Sequence, residues 1–148
     1  MTTSGSCDVA APVLSPRSEV LAVGGDPEVA EVAVLRFRHD DRFCVETVDG
    51  LDPPAPRDDK WIINVSTQFG CPVGCPFCDA AGTFSGNCTA GEMLAQVRWV
   101  LSRHPGKAAR CAKLKVHFSR MGEPALNDAV VRALDRLPGT VRSPGLWA

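Results

Sequence analysis

Between Ser66 and Cys88 the chain reads STQFGCPVGCPFCDAAGTFSGNC, which sets Cys71, Cys75 and Cys78 in a C-x₃-C-x₂-C array with Cys88 ten residues further on. No other stretch restricts the fold as much. Glycine and proline interrupt the cysteines, so the segment is predicted to be a loop that turns back and brings sulfurs together, neither helix nor strand. Thiols used only as small core residues belong in regular elements rather than here. Structural zinc asks for four ligands in a closed tetrahedron. Cys88, Cys111 or His104 are candidates for the fourth, but no second cysteine pair follows. A ferredoxin-type centre needs four cysteines at other spacings. The remaining arrangement is a [4Fe–4S] cluster on three thiolates, with one iron left open to a chelating small molecule.

The flanks of this loop set the architecture. KWIINVST (Lys60–Thr67) is apolar and β-branched, the pattern of a buried strand, and runs straight into the cysteines. TAGE (Thr89–Glu92) has the form of a capping box. Behind it Met93, Leu94, Val97, Val100 and Leu101 recur at helical spacing until HPG at 104–106. KLKVHFS (Lys113–Ser119) reads as a second strand and RMGEPALND as a turn. Asn127 then caps a second helix carrying Val130, Val131, Leu134 and Leu137, before Pro-Gly breaks end the segment. Strand, helix, strand, helix predicts an α/β fold with a parallel sheet. Two such units cannot close a barrel, so residues 60–148 read as the first part of a larger domain. Upstream, EVAVLRF (Glu31–Phe37) and RFCVETV (Arg42–Val48) flank a polar turn and predict a β-hairpin. With its Pro- and Asp-rich linker it spans 29–59. Residues 1–28 show no period and read as a disordered leader.

Composition narrows the class. The 148 residues make one ordinary domain. A net charge of −1 provides no electrostatic footprint for non-specific nucleic-acid binding. No segment has the length of a membrane span and no secretory signal stands out. A cytoplasmic address follows, where seven cysteines are thiols or ligands rather than disulfides. Cys88 and Cys44 read as packed residues, and His117 as a satisfied core histidine. Arg98, Arg103, Lys107, Arg110, Lys113 and Lys115, around the end of the first helix, read as a solvated face.

The triad after a buried strand, with Phe77 just before its third cysteine, resembles the radical S-adenosylmethionine (radical SAM) superfamily. MGEP (Met121–Pro124) sits where that family has its GEP-type motif, just past the second strand. The likeness goes further. The V-S-x-Q-x-G-C entry (Val65, Ser66, Gln68, Gly70, Cys71) and the helix T-x-x-E-hydrophobic-x-x-Q (Thr89, Glu92, Met93, Gln96) are similar to the adenine carbon-2 methyltransferases of 23S ribosomal RNA and tRNA, the RlmN/Cfr branch. VETV (Val45–Val48) matches the strand that carries this branch's proton acceptor, here Glu46. The resemblance covers about Arg42 to Leu134.

The resemblance implies that residues 60–148 are the N-terminal portion of a radical SAM (β/α) barrel, its first two βα units. Cys71, Cys75 and Cys78 would hold the [4Fe–4S] cluster, while Phe77, Met121, Gly122 and Glu123 shape the site for S-adenosyl-L-methionine. Reductive cleavage of SAM would draw its electron from a partner such as flavodoxin or ferredoxin. The substrate would be rRNA or tRNA, and Glu46 a catalytic residue. A fourth protein thiolate would block SAM, so Cys88 is not a ligand on this reading. One position departs: the branch resolves its protein–RNA adduct through a cysteine seven residues before the triad, and here that residue is Asn64. A truncated or degenerate member without independent activity, and a zinc-binding module, are the alternative readings.

Overall fold

The computed structural model describes residues 18–148, which form a mixed α/β sheet with two helices. Strands β1 (Ser18–Asp26), β2 (Ala30–Phe37) and β3 (Cys44–Leu51) make an antiparallel meander, and β4 (Lys60–Asn64) adds antiparallel to β3. Beyond β4 the sheet turns parallel, through β7 (Lys113–His117) to the short β8 (Leu146–Trp147). The order is β1-β2-β3-β4-β7-β8, and β5 (Gln68–Gly70) and β6 (Phe84–Asn87) form a separate hairpin. Among the described residues no helix is long and apolar enough to cross a membrane.

Helix α1 (Ala90–Arg103) starts as its sequence dictates. The Thr89 side chain accepts from the Glu92 N–H, and Glu92 accepts from the Thr89 N–H at 2.7 Å. Its apolar stripe buries Met93, Leu94, Val97 and Val100 against Trp61, Ile63, Leu114 and Val116 of the sheet core. Helix α2 (Ala129–Thr140) departs from expectation twice. The buried stripe is Val130, Ala133 and Leu137, which leaves Val131 62% and Leu134 37% exposed. The helix also continues through Pro138–Gly139, because the Val141 N–H donates to the Leu137 carbonyl and closes the last turn.

The upstream region needs a correction. The expected leader falls partly outside the described residues, but its last part is β1, so the meander has three strands rather than a hairpin. β1 is exposed along most of both faces, which is why it carries no period. Its ladder to β2 and the pairing of Glu19 with Arg36 at 2.6 Å hold it instead. His117 is corrected as well: it lies exposed at the end of β7, where its backbone pairs with Asn64 and its carbonyl accepts from the Val65 N–H. Within the expected basic face, Arg103 pairs with Glu31 and Lys107 with Asp58.

Candidate functional site

The cysteine loop is the connection between β5 and β6, and it is tightly footed. Gly70 has φ +79°, and a Cβ there would stand 1.5 Å from the Thr83 carbonyl oxygen, so only glycine permits this approach. The Cys71 N–H then donates to that carbonyl at 3.0 Å. Two further turns follow, Cys78 N–H to the Cys75 carbonyl and Ala81 N–H to the Cys78 carbonyl. All three cysteines are half-buried and free. Among the described residues no three His, Cys, Asp or Glu side chains gather as around one metal ion. Three thiolates on one loop are the donor type of an iron–sulfur cluster, whereas a closed zinc tetrahedron would need a fourth ligand.

The candidate fourth ligands are occupied elsewhere. Cys88 is 1% exposed, and burial pushes its thiol far above the ordinary range. Cys111 is fully buried, with its thiol pushed up by the same cause. His104 Nε2 stands 2.6 Å from Asp49 Oδ2. A carboxylate only accepts, which makes that nitrogen the donor. Phe77, next to Cys78, is 90% exposed and makes no aromatic ring pair among the described residues.

Met121, Gly122 and Glu123 are brought against the cysteine hairpin. Gly122 has φ +92°, and a Cβ on it would lie 2.5 Å from the Gln68 Cβ. The Met121 carbonyl accepts from the Thr67 N–H at 2.8 Å, and the Glu123 N–H donates to Gln68 Oε1 at 2.8 Å. Glu123 Oε1 accepts from the Ala125 N–H and so caps the short 3-10 turn Pro124–Leu126. Glu46 joins the same place from β3. Its N–H lies 3.3 Å from Met121 Sδ, and its carboxylate pairs with Arg120. Glu46, Arg120 and Met121, with Asp79 and Ala80 of the cysteine loop, line a pocket of about 90 Å³.

The residues that join these pieces form the segment Ser66–Gln68, whose role motif matching alone did not show. The Ser66 hydroxyl donates to the Glu46 carbonyl at 2.5 Å and accepts from the Met121 N–H at 3.2 Å. Gln96, wholly buried on α1, accepts from the Ser66 N–H and donates to the Ser66 carbonyl, at 2.8 and 2.9 Å. Asn127 donates to the Thr67 and Cys88 carbonyls while its own oxygen accepts from the Ala129 N–H, so it caps α2 and ties it to the loop. Ser66, Gln68 and Gln96 were visible in the sequence as motif positions and Asn127 as a helix cap, but not the bonds between them. Arg120 carried no signal.

Known proteins share this arrangement of sequence and fold. No family model matches the chain. It is 38% identical over 106 residues to the dual-specificity RNA methyltransferase RlmN of Nautilia profundicola, an alignment covering 66% of this chain and 29% of that protein. It is 42% identical over 93 residues to the probable dual-specificity RNA methyltransferase RlmN 1 of Opitutus terrae, covering 62% of this chain and 26% of that one. The crystal structure of a radical SAM methyltransferase from Sphaerobacter thermophilus superposes with a TM-score of 0.68 at 26% identity, over 82% of this chain and 34% of that chain. In fold and motifs the chain is similar to the radical SAM methyltransferases. Within them the branch it resembles is RlmN, of whose curated members it spans under a third.

Proposed function

We propose that Cys71, Cys75 and Cys78 hold a [4Fe–4S] cluster and that SAM binds against Met121, Gly122 and Glu123, on parallel strands belonging to a (β/α) barrel. When bound, the cluster supplies the single electron that cleaves SAM reductively. The chain's own part is to hold and orient. The bare backbone at Gly122 admits close approach, Oε2 of Glu123, without a hydrogen bond among the described residues, is an acceptor for an ammonium, and Gln68 and Ser66 keep this loop in register with the cysteines. The observation that carries this reading is the convergence on Ser66–Gln68 of the cysteine hairpin, the 121–123 loop and Glu46.

The names of the relatives support RNA as the substrate class. On the resemblance of VETV and the cysteine loop we further propose Glu46 as proton acceptor, a small reductant such as flavodoxin or ferredoxin as electron source, and a cytoplasmic setting. Anaerobic reconstitution with iron and sulfide tests the first part. It should yield a brown protein with about four irons per chain, and dithionite with SAM should release 5′-deoxyadenosine. A colourless protein with one tightly held zinc would overturn it.

A second reading has its own observation. Asn64 stands where the branch has its resolving cysteine, pairs across the sheet with Val48 and His117, and offers only an amide, whose oxygen accepts from the Ser119 hydroxyl. A unit that loads the cluster and SAM without releasing methylated RNA follows from it. Detection of methyladenine in RNA incubated with the reconstituted chain would exclude this second reading.

A further inference from the structure

Gln68 is 1% exposed and uses both ends of its carboxamide. Oε1 accepts from the Glu123 N–H at 2.8 Å, and Nε2 donates to Asn87 Oδ1 on β6, also at 2.8 Å. Its Cβ and Cγ fill the space that a side chain at residue 122 would need. Asn87 in turn donates to the Leu126 carbonyl at 3.2 Å, so the links run from the cysteine hairpin to both ends of the 122–126 turn. Among the described residues nothing else accepts the Glu123 N–H. The aim of the Gly122–Glu123 peptide, held at positive φ, therefore depends on one side chain that grows from the strand leading into the cysteines.

We infer that Gln68 is a positioning residue, which acts through the Glu123 amide to hold the 121–123 loop in its ligand-accepting geometry relative to the cysteine hairpin. This rests on the reading of residues 121–123 as the SAM site, and it deepens that reading. Gln68 does not touch the reacting atoms; it sets where the loop that does so stands.

Two variants of the full chain separate hydrogen bonding from packing. Gln68→Met keeps the contact with Gly122 and removes the acceptor. Gln68→Glu keeps an acceptor for the Glu123 N–H while removing the donor to Asn87 Oδ1. Amide hydrogen exchange at Glu123, measured before any cluster is loaded, should speed up on the order of tenfold in Gln68→Met and return toward wild type in Gln68→Glu. In reconstituted protein, Gln68→Met should keep wild-type iron content while SAM binds about tenfold more weakly, read from the change SAM causes in the spectrum of the reduced cluster. Unchanged exchange at Glu123 overturns the inference, and so does iron loss in parallel with SAM affinity. If wild-type protein itself shows no response to SAM, the SAM reading fails, and the exchange measurement alone decides whether Gln68 positions the loop.

Discussion

Asp49 shows how much one buried side chain can organise. Its carboxylate has no exposure and accepts from Trp61 Nε1 at 2.7 Å, from His104 Nε2 and from the Arg57 guanidinium. Three donors from β4, the end of α1 and the 52–59 linker thus depend on one acceptor. Asp49→Ala would leave buried donors without a partner, and it should lower stability by about 3–5 kcal/mol in urea denaturation. At the site, Gly122→Ala combines a strained φ with a clash against Gln68. It should abolish SAM binding while iron loading persists. Cys88→Ala is the contrasting case: the thiol lies in the core, so iron content should stay at the wild-type level, whereas Cys71→Ala should lose the cluster.

At the scale of the element, α1 does more than cover the sheet. Gln96 meets the Ser66 backbone as a neighbouring strand would, through one N–H and one carbonyl. Gln96→Leu leaves both buried groups unpaired and should cost about 1–3 kcal/mol for each, measurable by denaturant unfolding. The start of the helix has a pH signature. Burial works against the charge on Glu92, but the Arg38 guanidinium and the Thr89 N–H outweigh it and hold the carboxyl below its usual range. A group lowered on folding contributes stability above its unfolded pKa, about 4.3, and loses it as pH falls through the lower folded value. The melting temperature of wild type should therefore fall more steeply below about pH 4 than that of Glu92→Gln. Removing the other half of the box, Thr89→Ala, should cost about 1 kcal/mol at neutral pH.

For the whole molecule, the legible parts were those with a repeating pattern or a special backbone. β2, β3, β4, β7 and α1 follow alternation or helical spacing, and the cysteine loop and the 121–124 turn are marked by Gly and Pro. β1 was illegible because a strand buried on neither face needs no alternation, and two-residue β8 is too short to show any. The joining residues escaped for another reason: Ser66 finds its partner 30 residues away at Gln96, and Thr67 finds its own 60 away at Asn127. Local patterns do not encode contacts at that separation. Because β1 lies at the far edge of the sheet from β7 and β8 and its ladder is to β2, removing β1 should lower the melting temperature and leave iron content unchanged.

The Gly70–Thr83 contact has a consequence for how this region can vary. With one foot of the loop fixed where Gly70 and Cys71 meet Thr83, and the other where Asn127 binds the Cys88 carbonyl, the chain between them is a closed cassette. A single residue inserted between Gly70 and Cys71, or between Asn87 and Cys88, would carry the thiols out of register with everything they are meant to face.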